Sequence, residues 1–421
     1  MNEHIDQNVF KKILSPFQPL IDDAQNSLNN DSETYTLSLT SFATNLLFGI
    51  ITRIKSVGQI VTEIKTSPIA KALGLVIASK SMYNEAFNRY HPAIFKDIFH
   101  QLVKQLDLHK IPEISHLGRI LIVDGSLFPA ISNMEWACYK KTANAIKIHL
   151  SFELNRMIPA EFISTEGNFS EKAFVKQILT KGITYVCDRG YIAFNLFKQI
   201  SDSNAFFIIR GKSNMQYTVK ECLTATVPDT FLNLFNDITD SNIIFNSDKN
   251  EATYRIVNFT AMGETYILIT NRFDLTTYEI IMLYAYRWQV ELCFRFLKRT
   301  LKGIHLMSQS PQGIQIQFYL YMIAYLLLLA FKQEVEIMSE GNEKDEPESE
   351  VNNENQTLPN SSYRFDSNAK RPYVRGLVSL LGEKLKRFYK IGLHWLLVVK
   401  NYLLERFDIN VAKAIAQYST Q

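Results

Sequence analysis

Four cysteines in 421 residues leave little to cross-link. Cys138, Cys187, Cys222 and Cys293 stand far apart with no Cys-x-x-Cys pair, which excludes a disulfide framework and a structural zinc and fits a reducing compartment. The eight histidines show no metal-ligand spacing. Charge of one sign is lacking too: 45 Lys and Arg against 42 Asp and Glu leave +3, so any surface for nucleic acid has to be local. The greasiest run, Phe318–Phe331, is too short to span a bilayer and reads as a buried helix. The polar, acidic start MNEHIDQNVFKK does not read as a signal peptide. These absences give the expectation of a cytoplasmic protein with no membrane partner. Gly211-Lys212-Ser213 has the look of the end of a phosphate-binding loop, but Phe206 stands where a glycine is required, so no ATP site is expected.

What is present is a sequence of textures. Residues 1–115 read as helical, with an apolar period over Phe42–Ile64 and further helices over about Pro68–Arg89 and His91–Leu106; a DNA-reading module and a packing module both fit. Strands are expected at Arg119–Val123, Ala145–Leu154, Met157–Ser164, Ile183–Cys187 and Ala205–Arg210, with helices at Ser170–Thr180 and Ile192–Ile200. That order makes a mixed α/β core over 116–211, resuming over 265–333. Between the halves, 212–264 is polar and alternating, a β-rich insertion. Residues 334–369 are acidic and Asn- and Ser-rich, the composition of a disordered linker, and 370–421 return to amphipathic helix.

The most informative stretch is Thr276–Gly303. Thr276-x-x-Glu279 is a capping box, and Lys298, Arg299, Lys302 and then Gly303 form a helix exit, so one helix of about seven turns is expected. At about 100° per residue, Arg287, Glu291 and Lys298 fall at about 300°, about 340° and about 320° from Tyr284. The four share one stripe about 21 Å long on a helix otherwise mostly apolar, which is a buried helix with one polar edge. An ordinary Arg-Glu pair one turn apart explains part of this; a carboxylate ligand flanked by phosphate-gripping groups explains all of it.

Two aspartates are expected just past the ends of buried strands, Asp124 before Gly125 and Asp188 two before Gly190. Aspartate near glycine commonly only makes a turn. Yet the ends of strands are where open α/β sheets place their sites. With Glu291 they offer three hard oxygen donors, suited to two Mg²⁺ or Mn²⁺ ions and to in-line phosphodiester chemistry.

The combination resembles the DDE insertion-sequence transposases that carry a Tyr-Arg-Glu-Lys signature. Tyr284, Arg287, Glu291 and Lys298 meet that signature without a gap, and Asp124-Gly125-Ser126 and Asp188-Arg189-Gly190-Tyr191 are similar to the family's surroundings of its two aspartates. The resemblance covers about 118–330. It implies a ribonuclease-H-like core with the β-rich insertion, Asp124, Asp188 and Glu291 holding Mg²⁺ (Mn²⁺ as substitute, two ions), and Tyr284, Arg287 and Lys298 on phosphates of the transposon end. It further implies double-stranded DNA ends and target DNA as partners, 3′-hydroxyl strand transfer, a homodimer in a synaptic complex, and work at the bacterial nucleoid. Relatives that cut through a hairpin hold a flipped base with a tryptophan in the insertion; here Trp136, Trp288 and Trp395 all lie outside it. Two other readings stand beside this one: a nuclease or resolvase on the same fold that never joins strands, and a decayed copy that only binds DNA.

Overall fold

The structure is a computed structural model that describes residues 10–28, 37–106, 112–131, 134–140, 143–229, 235–261, 263–301 and 305–342. The N-terminal part is helical: α1 (Gln18–Ser27), α2 (Leu39–Ile51), α3 (Val57–Thr66), α4 (Pro68–Ala72), α5 (Lys80–Arg89) and α6 (Pro92–Gln105). The single helices expected over 42–64 and 68–89 are each divided. Arg53 takes φ 67° and Ile54 N–H donates to Gly49 O at 2.8 Å; Gly74 takes φ 70° and Leu75 N–H donates to Ala70 O at 3.1 Å. A left-handed residue followed by such a bond closes a helix while the apolar pattern carries on beyond it.

The core follows with β1 (Ile120–Pro129), β2 (Cys138–Lys140), β3 (Ala143–Glu153), β4 (Ile158–Glu166), α7 (Glu171–Gln177), β5 (Thr184–Cys187), α8 (Phe194–Asp202) and β6 (Phe206–Arg210). Strands β4, β3 and β1 are antiparallel neighbours, and β1, β5 and β6 run parallel. Three antiparallel strands followed by two parallel ones form the expected ribonuclease-H-like core. The insertion supplies β7 (Tyr217–Leu223), β8 (Asn236–Phe245) and β9 (Thr253–Ala261), and β10 (Glu264–Thr270) joins them antiparallel to β6. The insertion therefore widens the same sheet, in the order β2-β3-β1-β5-β6-β10-β9-β8-β7.

Alternation along β1 sorts the two cores. Ile120 and Ile122 pack with the N-terminal helices, while Leu121 and Val123 face α7 and α8. The first face is closed by α9 (Thr277–Ala285), α10 (Trp288–Arg295), a π turn at Phe296–Thr300, and α11 (Pro311–Asn342). Pro311–Phe331 is long and apolar enough by composition to cross a membrane, more than the stretch counted from sequence, but most of it is buried inside the protein. It packs on α2, α5 and α6 as a core helix. It also runs to Asn342, past the apolar run that ends at Phe331 and into the expected linker. The rest of that expected linker and the helical region expected over 370–421 lie outside the described residues.

Candidate active site

β5 pairs with β1 only from Ile120↔Thr184 to Val123↔Cys187. Asp124 and Asp188 are thus the first residues past the shared end of two parallel strands. Val123 and Cys187 face the α7–α8 side, so both aspartates lie on the opposite side, under the α9–α10 pair. Asp188 leads a 3-10 turn, Arg189–Tyr191, and its Oδ1 accepts from Gly190 N–H at 2.7 Å. Asp124 differs from expectation. It is not beyond its strand: β1 continues through Gly125 to Pro129, because β3 goes on pairing with it as far as Pro129↔Ala145.

The stretch expected as one long helix is broken twice. Its capping box is present, with Glu279 N–H donating to Thr276 Oγ1 at 3.2 Å and Thr276 N–H donating to Glu279 Oε2 at 2.7 Å. Between α9 and α10, Arg287 N–H donates to Tyr284 O at 2.9 Å and Gln289 N–H to Tyr286 O at 2.9 Å, a tighter three-residue turn. The later π turn is wider, closed by Leu301 N–H on Phe296 O at 3.0 Å. Tight and wide turns offset each other in rotation, so the polar stripe survives the breaks.

Its members meet the sheet. Arg287 Nη2 donates to Glu291 Oε1 at 2.5 Å, and Arg287 Nη1 lies 3.6 Å from Asp124 Oδ2. One guanidinium therefore bridges an acid from the strand and an acid from the helix. Lys298 Nζ donates to Ser126 Oγ at 2.8 Å and lies over the Phe128 ring at 4.8 Å. Tyr284 is buried at 7% exposure, and the Arg287 side chain acts on its phenol. Trp288 is 38% exposed and has the Arg295 guanidinium 5.4 Å from its ring centre.

Burial pushes the Asp124 carboxyl up to about 7; Arg287 and the Gly125 amide oppose this, and the charges of Asp188 and Glu291 add to it. Burial lowers Lys298, against the pull of Asp124. Burial also raises the Tyr284 phenol. Among the described residues no three acids, histidines or cysteines are grouped closely enough to hold a metal ion as they stand; the Arg287 guanidinium lies between Asp124 and Glu291. Asp124 is a desolvated carboxylate near the charges of Asp188 and Glu291, and carboxylate oxygen is the donor type that a hard divalent cation takes.

Three charged neighbours of these residues were not expected from the sequence. Arg210 ends β6 in the register of Asp188, since Cys187 pairs with Ile209, and its charge acts on Tyr284; a basic residue closing the next expected strand was the available signal. Glu171 and Lys147 form an ion pair at 2.5 Å beside Gly125, which no local pattern announced.

Residues 115–327 match the family model described as the transposase DDE domain. A transposase-named protein of Sinorhizobium fredii is 28% identical over 243 residues, 56% of this chain and 67% of its own length. A Synechocystis protein named as the transposase of an insertion sequence element is 23% identical over 260 residues, 59% of this chain and 70% of its own. A solved piggyBac transposase synaptic complex with hairpin DNA aligns at TM-score 0.43 and 11% identity, over 79% of this chain and 75% of that one. Because the matched domain takes in every element from the strand carrying Asp124 to the helix behind Glu291, the chain belongs to the family of transposases built on the DDE domain.

Proposed function

We propose that this DNA transposase works with Asp124, Asp188 and Glu291 as the acids that hold its metal. Divalent metal ions go with the family; the reading here is Mg²⁺, with Mn²⁺ as a substitute and two ions per site. When bound, such ions activate a water or a 3′-hydroxyl and steady the leaving oxygen. The observation that carries the reading is Arg287, whose guanidinium joins Asp124 of the sheet to Glu291 of the helix and so marks these acids as neighbours across the fold.

The chain's own groups divide the remaining work. Arg287 keeps two carboxylates compatible, and its arm toward Asp124, at 3.6 Å, is the loosely held one that a phosphate oxygen can take in a charge-assisted hydrogen bond. Tyr284 orients that guanidinium from behind. Lys298, anchored on Ser126, offers a point charge to the next phosphate along the strand. Farther along β1, a cleft of about 700 Å³ opens at Pro129, lined by Lys55, Lys80, Asn84, Asn88 and His305 among others, with no carboxylate among the described residues of its walls. Asp124 to Pro129 is about 17 Å of extended strand, so a DNA end held at the acids extends toward amides and lysines of the N-terminal helices. This supports residues 1–115 as an end-binding region. Synapsis of two ends by a homodimer, in the cytoplasm at the nucleoid, completes the reading.

Glu291→Gln tests it. End cleavage dependent on Mg²⁺ should disappear while binding to the inverted-repeat end persists; undiminished cutting would remove Glu291 from the site.

A further inference from the structure

Gly125 follows Asp124, yet it makes no turn. It lies within β1, paired with His149, and its φ is not in the left-handed region. Alanine is therefore compatible with the backbone, and the reason for glycine lies in what surrounds it. A Cβ at Gly125 would come 3.0 Å from Glu171 Oε1 and 3.0 Å from Lys147 Cε. A Cβ at Gly190 would come 3.2 Å from Glu171 Oε2. The two oxygens of one carboxylate thus stand over the two glycines that follow Asp124 and Asp188, in the space a side chain at either would need.

Glu171 itself is firmly held. It opens α7, whose Phe174 and Val175 are buried against the sheet. Its carboxylate is paired with Lys147 at 2.5 Å, the two side chains being 26% and 15% exposed. Lys147 pairs with Leu127 across β1, on the sheet face opposite the aspartates. The pairing offsets the charge of Glu171, so a fourth carboxylate stands behind the rim without adding fully to its repulsion.

We propose that Glu171 is a positioning residue: a spacer, locked by Lys147, that sets the separation of the Asp124 and Asp188 segments from behind. This rests on the reading of those aspartates as metal-holding groups. Supporting groups behind metal ligands typically account for about 10- to 100-fold in metal affinity, because ligands built on fixed elements need their own backing to keep their spacing.

The test uses the full chain without DNA, titrated with Mn²⁺ and followed by the electron paramagnetic resonance signal of free Mn²⁺. Glu171→Ala should weaken binding by about 10-fold or more while DNA-end affinity stays unchanged. Glu171→Gln, which keeps the shape but loses the ion pair, should fall between Glu171→Ala and wild type, and guards against simple misfolding of the alanine variant. Gly125→Ala alone should weaken Mn²⁺ binding, and the double variant Gly125→Ala/Glu171→Ala should bind better than Gly125→Ala, since the new methyl enters space the carboxylate has left. A general loss of stability would not give that rescue. Wild-type affinity in Glu171→Ala, or a Gly125→Ala defect equally deep with and without Glu171, overturns the spacer. Asp188→Asn is the control: if it binds Mn²⁺ like wild type, the metal-holding reading itself fails and the spacer falls with it.

Discussion

Lys298 Nζ and Ser126 Oγ are 2.8 Å apart, tying the π turn to β1 two residues beyond Asp124. Lys298→Ala is expected to weaken binding of the transposon end on specific and random sequence alike, and to lower the salt slope by about one counterion. Lys55→Ala with Lys80→Ala should lower it by about two without changing Mn²⁺ affinity. Fluorescence anisotropy across a salt series reads both; slopes that match wild type would separate these lysines from DNA.

Arg287→Ala leaves Asp124 and Glu291 facing each other with no counter-charge. In chelator the variant should lose on the order of 2 kcal/mol of stability, and Mg²⁺ should restore part of it. Arg287→Lys should fall between, because a single ammonium lacks the fork that reaches both acids. A melting curve in chelator equal to that of wild type is the outcome against this.

Arg255 and Asp240 form a bidentate pair on β9 and β8, at 2.9 and 2.6 Å, with side chains 6% and 0% exposed. Arg255 also donates to Leu275 O, and Thr277 Oγ1 donates to Asp240 Oδ2 at 2.7 Å, so the insertion fixes the start of α9. Arg255→Ala strands a buried carboxylate and should cost about 3–5 kcal/mol. Asp240→Leu with Arg255→Leu should recover much of that loss. Urea unfolding decides it.

His149 lies at 0% exposure between the rings of Phe169 and Phe174. Burial, helped by Lys147, holds it down at about 4 from an ordinary 6.5. A histidine depressed on folding stabilises above its unfolded value and loses that contribution as pH falls through its folded value. Wild type should therefore lose roughly 3 kcal/mol from this residue between about pH 6.5 and about pH 4. His149→Gln should flatten that decline; parallel curves for the two proteins would contradict it.

The sequence made the strand and helix positions of the three acids legible because their signals are local. Alternation carries a strand to Asp124 and another to Asp188, and a four-residue spacing marks Glu291. The helix breaks were not legible. A three-residue turn at Tyr286–Arg287 keeps the same i+3 and i+4 neighbours that a regular helix has, so periodicity passes straight through it. Arg53 gives no warning of a left-handed conformation, and at Gly74, where glycine permits one, the helical pattern runs on past it. Gly125 was misjudged as a turn because its close neighbour, Glu171, comes from a distant helix, and steric approach between remote segments has no linear signature.

The π turn at Phe296–Thr300 changes what a signature measures. The interval from Glu291 to Lys298 contains a stretch wound at more than the usual number of residues per revolution, so a fixed count of positions records an irregularity as well as a distance. Removing one residue from 296–300 would give a more regular helix and swing the ammonium off Ser126; preserving the motif's arithmetic is preserving a deliberate underwinding.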